Sequence, residues 1–217
     1  METIHQLIHN ILHLDELLGG WIQSYGYQTY FFLFAIIFVE TGVVIWPWLP
    51  GDSLLFAVGA FSKIGSLNIF LVYFLMTAAA LLGDNCNYWI GRKLGQNKTF
   101  GRLINKKYLD QTHQFYEKHG VLAVIIAQFA PIIRTFAPFV AGIGKMTYTK
   151  FATLNLIGVV SWTTLFLGLG YFFGQLDVVK KNMELVIFGI IAVSLIPIAL
   201  EILKAFFSKP ETTKKKR

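Results

Sequence analysis

Three stretches of this chain, residues 64–83, 151–176 and 185–200, carry no charged side chain over a length close to that of a bilayer crossing; the last continues through a largely apolar turn to residue 207. A water-soluble core rarely supplies several such runs in 217 residues, and with 55% apolar and only 14% charged side chains the bilayer is the expected solvent. The start, Met1 to His5, has neither the basic region nor the small-residue cleavage site of a signal peptide, so the chain is expected to be retained whole. Cys86 is the single cysteine, which excludes an intrachain disulfide.

The net charge of +7 lies between and after the apolar runs, without a base-reading module, so nucleic acid is not an expected partner. Positive-inside topology explains it better. Seven basic residues fall between Arg92 and Lys118, followed by Lys145 and Lys150 and by a tail holding Lys209, Lys214, Lys215, Lys216 and Arg217; the opposing set is Lys63, Lys180 and Lys181. The three larger clusters, and with them the C-terminus, are expected in the cytoplasm.

That assignment makes residues 121–143 informative, because they are apolar enough to span yet both flanks are basic. A segment that enters and leaves on one side is re-entrant. Pro131 and Pro138 are expected to break its hydrogen-bond ladder near the midpoint, which is tolerated at membrane depth only where protein or a water-filled cavity covers the freed backbone. A similar interruption occurs earlier, where Glu40, Gly42, Pro47, Pro50, Gly51 and Asp52 separate two short apolar runs. By parity this first hairpin opens to the outside. Two broken segments, each followed by a full helix and opening to opposite faces, suggest an inverted repeat with a binding site at the midplane.

These readings predict an all-α polytopic membrane protein made of one domain. An interfacial helix covers 3–24, a first re-entrant hairpin 28–62, a transmembrane helix 64–91 and a cytoplasmic helical loop 92–119. A second, oppositely oriented re-entrant hairpin covers 120–144, followed by transmembrane helices at 147–176 and 184–207 and a basic cytoplasmic tail at 208–217. In the first segment His5, His9 and His13 repeat at helical spacing. A metal site would need a further ligand that the stretch does not offer, so a solvated or headgroup-facing stripe is the expectation, with no metal and no cofactor.

Charge inside the apolar segments carries the functional signal. Glu40, Asp52, Asp84 and Arg134 each cost about 3 kcal/mol when central in a membrane, so the fold must compensate about 10 kcal/mol. Pairing of Arg134 with Glu40 or Asp52 is the structural explanation. It leaves an excess of acids, and a carboxyl that stays protonated in such a site is the group a proton-coupled transporter needs. Pro50-Gly51-Asp52-Ser53 reads as a turn into a helix N-terminus capped by Asp52 or Ser53, whose free amides would attract an anion. Arg134-Thr135 supplies a fork of donors suited to a phosphate. No zinc-protease motif, nucleophile elbow or phosphate loop is present, and all five histidines lie outside the apolar runs, so an enzyme is not expected.

Glu40-Thr41-Gly42, Pro50-Gly51-Asp52-Ser53-Leu54, Gly83-Asp84 followed by Tyr88-Trp89-Ile90-Gly91-Arg92, and Pro131 with Arg134-Thr135-Phe136-Ala137-Pro138 and Ala141-Gly142 together resemble the DedA family, within the wider VTT or SNARE-associated group. The resemblance covers about residues 12–202. It implies a bacterial inner-membrane protein with two re-entrant hairpins, linked to the proton motive force and to recycling of undecaprenyl phosphate, with lipid scramblases among eukaryotic relatives. The family's functional acids fall on Glu40 and Asp52 and its hairpin arginine on Arg134. One departure stands out: the family pattern Arg-Phe-x-Pro reads here as Gln128-Phe129-Ala130-Pro131.

The leading expectation is a flippase for a lipid-linked phosphate, with membrane lipids, the phosphate head group and protons as partners and a second copy of the chain left open. Its site residues are Glu40, Asp52, Arg134, Ser53, Thr135, Asp84 and Gln128, shaped by Pro47, Pro50, Gly51, Pro131, Pro138 and Gly142. A proton or cation antiporter using the same acids, and a non-transporting membrane scaffold, are the alternatives.

Overall fold

The structure, a computed structural model, describes residues 14–42, 51–96, 128–129, 131–182, 185–186 and 189. The histidine stripe, Pro47 and Pro50, most of the 92–119 loop, most of the 184–207 segment and the basic tail lie outside them. Helices α1 (Leu14–Tyr25), α2 (Gln28–Gly42), α3 (Gly51–Lys63), α4 (Ile69–Gln96), α5 (Pro131–Ile143), α6 (Tyr148–Phe173) and α7 (Asp177–Lys181) account for the regular structure, and no strand occurs among the described residues.

Two of these helices are long and apolar enough to cross a membrane. Within α4 the apolar span is Ile69–Gly95, and α6 qualifies over Tyr148–Phe173. The 28 residues of α4 extend about 42 Å, the width of a bilayer with its head groups. It begins five residues later and ends five residues beyond the 64–91 span expected from sequence. Asn68 explains the start, because its Oδ1 accepts the backbone N–H groups of Phe70 (3.0 Å) and Leu71 (3.1 Å). Phe70, Phe74, Leu82 and Trp89 on α4 and Leu165, Phe172 and Phe173 on α6 leave large apolar side chains exposed, as lipid-facing surfaces require.

Specific contacts order the helices along α4. The Tyr30 hydroxyl at the start of α2 accepts the Asn68 N–H at 2.8 Å, beside the beginning of α4, while Gly42 at the end of α2 lies against the Gly83 backbone near its middle. Helix α3 then leads back, ending at Lys63 only six residues before α4 begins. Both ends of 28–63 therefore sit at the starting end of α4, and Gly42, the last residue of α2, sits halfway along it.

Helix α5 packs on the other end of α4. The Thr135 carbonyl accepts from Asn87 at 2.6 Å, Gly91 lies against the Phe139 backbone, and Gly95 meets Ile143, so α5 runs parallel to the second half of α4. Helix α6 returns in the opposite direction: Tyr148 donates to Asn85 at 2.9 Å, and Thr164 lies 3.0 Å from Tyr73. The turn into α6 closes on the unusual left-handed backbone of Lys145 (φ 56°), with Met146 N–H donating to Ala141 O at 3.0 Å as in a Schellman motif.

Two local expectations change. Pro131 is the first residue of α5, where its missing N–H costs nothing, and Pro138 lies inside the helix without ending it. The helix starts at Pro131 and continues through Pro138, where the ladder loses only the bond that an N–H at position 138 would have donated to the Arg134 carbonyl. Gly142 serves packing, since a side chain there would overlap the Tyr88 carbonyl.

The core is built on close helix approach. Leu33 and Ile37 of α2, Leu55 and Val58 of α3, Val72, Met76 and Ala79 of α4 and Val159, Trp162 and Leu167 of α6 form one buried cluster. Tyr88 and Phe151 stack at 4.5 Å between centroids in a second one, toward the far end of α4. Lipid offers apolar side chains no hydrophobic gain from association, so contact between small residues and buried polar links must hold the helices together.

Candidate functional site

The helix ends at the centre of the fold bring the expected residues together. Glu40 closes the last turn of α2, Gly51, Asp52 and Ser53 open α3, Asp84 and Asn87 lie at the middle of α4, and Arg134 and Thr135 occupy the first turn of α5. All are buried. Arg134 is 1% exposed, Glu40 2%, Asp84 0% and Asp52 7%, so these charges are removed from any outside water.

Arg134 is the hub. Its Nη1 donates to Asp52 Oδ1 at 2.9 Å, its Nη2 is ion-paired with Glu40 Oε1, and its guanidinium lies over the Trp162 ring at 4.2 Å from the centroid. Trp162 Nε1 donates to the same Asp52 oxygen at 2.7 Å. One side chain thereby ties α5 to α2, α3 and α6. Planarity matters here, because a guanidinium can serve two carboxylates in its plane while its face rests on an indole.

Asp52 or Ser53 was expected to cap α3. Instead Asp52 sits in the first turn and faces Arg134 and Trp162, and the Ser53 hydroxyl is buried without a hydrogen-bond partner. The opening amide of α3, Gly51 N–H, donates to Glu40 Oε1 at 3.3 Å. A carboxylate of the chain itself thus occupies the helix terminus that was expected to stand free for an anion.

A second polar node lies beside this one. Gln128 Nε2 donates to Asp84 Oδ2 at 3.1 Å and to Asn155 Oδ1 at 2.8 Å, so Gln128 belongs with Asp84. Asn87 Nδ2 donates to the carbonyls of Thr135 (2.6 Å) and Thr41 (3.3 Å), joining α4 to the ends of α5 and α2. Sequence reasoning missed Trp162, Asn155 and Asn87. Polar Asn155 within an otherwise apolar run was a usable signal; Trp162 had none, because an aromatic residue in such a run reads as lipid-facing or core.

Comparison with known proteins gives the family. Residues 49–172 match the family model described as VTT domain, more than half of the chain. The chain is 48% identical over 210 residues to the protein named DedA of Escherichia coli K12, covering 94% of this chain and 95% of that one. It is 37% identical to an uncharacterised membrane protein of Mycobacterium leprae, over 83% of this chain and 82% of the relative, and 32% identical to the inner membrane protein YqjA of Escherichia coli K12, over 83% of each. No solved structure matches. With helices as the regular structure and two apolar spans among the described residues, and with these relatives, the chain belongs to the DedA family of VTT-domain membrane proteins.

Proposed function

We propose that the chain is a proton-coupled translocase of a lipid-linked phosphate, of the undecaprenyl phosphate or phospholipid class, in a bacterial inner membrane. The observation that carries the reading is the buried Arg134, held by Glu40 and Asp52 where the ends of α2, α3 and α5 meet halfway along a helix of spanning length. An arginine is suited to phosphate oxygens, and intramembrane acids beside it are suited to carrying protons. In this reading the lipid tail stays in the bilayer while the head group passes the Arg134 node.

The hairpins are re-entrant in this reading. Helices α2 and α3, at 15 and 13 residues, are each about 20 Å long and too short for a hydrocarbon core of about 30 Å, and their outer ends lie together. Arg92, Lys93, Lys145 and Lys150 mark the opposite end of the bundle, which supports a cytoplasmic assignment there and a cytoplasmic C-terminus. The two hairpins then relate as an inverted repeat, since α4 and α6 run in opposite directions. With Cys86 replaced, cysteines at the exposed Ser24 and Ser66 are expected to react with an impermeant maleimide from outside, and one at Thr149 only after permeabilisation. Ser24 and Ser66 labelling from opposite sides would mean that 28–63 crosses the membrane.

The functional test is reconstitution into vesicles with labelled undecaprenyl phosphate, other labelled phospholipids and a trapped pH dye. Glu40→Gln and Asp52→Asn are expected to abolish lipid-phosphate movement at matched expression. Proton flux without lipid movement would point to an antiporter, and neither flux to a scaffold. Full transport by both carboxamide variants across pH would end the proton-coupled reading.

A further inference from the structure

We propose, building on the lipid-phosphate reading, that the Glu40 carboxylate is a built-in competitor of the transported anion. It occupies the place where a phosphate monoester binds, and it yields that place on taking a proton.

Glu40 Oε1 accepts from the first amide of α3 and from Arg134 Nη2, the two donors that an incoming oxyanion would use. The site is shaped for this occupancy. A Cβ at position 51 would overlap the Glu40 carboxyl group, so glycine there is what lets the side chain close onto the helix end. The occupancy is also incomplete. Ser53 Oγ and Arg134 Nε are buried donors without a hydrogen-bond partner, and Glu40 Oε2 is a buried acceptor without one. A flat carboxylate has two oxygens, whereas a phosphate monoester has three non-ester oxygens in a tetrahedral array. The leftover donors are those that a larger anion would engage, and an unused donor in a dry site is costly enough to need such a reason.

Charge gives the competition its direction. Facing Glu40 are Arg134 from α5 and Asp52 from α3; Asp84 from α4 acts on Arg134 and is bonded to Gln128, and α6 contributes the neutral Trp162 against Asp52 and Arg134. With Glu40 and Asp52 both ionised, the Arg134 pair of contacts already carries one excess negative charge, and a phosphate entering beside it would be repelled at low dielectric. A proton from water on the Glu40 carboxylate gives a neutral acid, removes that excess and frees both donors. Anion entry and proton uptake are then one event, and proton loss from Glu40 expels the anion.

The test uses the full chain in lipid nanodiscs, titrated calorimetrically with farnesyl monophosphate and, separately, with inorganic phosphate, in buffers of different ionisation enthalpy. At alkaline pH Glu40→Gln is expected to bind farnesyl monophosphate about tenfold or more tightly than the unmodified chain, a gap that narrows as pH falls, since each pH unit above a required protonation costs about tenfold in affinity. The unmodified chain is expected to take up about one more proton per bound ligand than the variant; the probe's own protonation is common to both and cancels. Glu40→Ala, which leaves Asp52 on Arg134, is expected to behave alike and covers a folding failure of the carboxamide. Equal proton uptake, or an affinity ratio independent of pH, would overturn the competition. Inorganic phosphate binding as tightly as the isoprenoid probe would overturn the lipid source while leaving the anion site. Binding unchanged in Arg134→Ala, or absent from every form, would remove the phosphate reading itself. Competition seen in nanodiscs without lipid movement in vesicles would fault the translocase reading alone.

Discussion

Arg134→Ala is expected to abolish transport and to lower the thermal unfolding midpoint in detergent by about 10 °C, while insertion into the membrane persists. The substitution strands Glu40 and Asp52 as buried carboxylates without their cation, a loss of about 3 to 5 kcal/mol for a broken buried pair, and for a chain of this size each kcal/mol is worth about 2 to 4 °C. Arg134→Lys is expected to recover only part of that stability and no transport, because an ammonium cannot bond both carboxylates in one plane and lie flat on Trp162. Adding Glu40→Gln to Arg134→Ala removes one uncompensated charge, so stability should rise again without activity. Unfolding of Arg134→Ala at the unmodified temperature would mean that the ion pairs with α2 and α3 are not made in the membrane.

Gly170→Val is expected to be the most damaging change remote from the charges. A Cβ at Gly170 would land on the Phe56 carbonyl of α3, and the neighbouring Gly59 meets the Leu167 carbonyl of α6 in the same way, so these two helices touch backbone to backbone. Pushing them apart costs about 3 kcal/mol, at the upper end of overpacking effects, and draws Asp52 away from Trp162. Gly168→Ala is the control on the same helix, because a methyl group there meets nothing within 4 Å, and it should leave stability unchanged or slightly improved. Measured unfolding in detergent together with vesicle transport should show Gly170→Val losing both and Gly168→Ala losing neither. Comparable stability of the two variants would show that α3 and α6 do not pack through these glycines.

The sequence alone determined the membrane class and the set of unusual residues. Long uncharged runs have one favourable solvent, and Glu40, Asp52, Asp84 and Arg134 are conspicuous because charge in such runs is expensive. Proline and glycine showed where helices are interrupted, and basic flanks argued that each interrupted segment turns back. Which residues meet was a different matter. A soluble helix announces its buried face by its apolar stripe, but α2 and α6 are apolar nearly all round, so nothing in their periodicity says which side faces protein and which faces lipid.

Only tertiary structure therefore decided that Trp162 lies against Arg134, that Gln128 serves Asp84 and Asn155, and that Asp52 turns from the helix cap to the guanidinium. The same holds for Glu40 on the first amide of α3: its partner is eleven residues away along the chain, and local propensity would have supplied a cap from Asp52 or Ser53 instead. A buried arginine outcompetes an exposable amide for a carboxylate, because leaving the cation unpaired in a dry interior costs more than leaving one helix N–H to another acceptor. That ordering of costs appears only once the ends of α2, α3 and α5 meet at one depth, which no stretch of sequence contains.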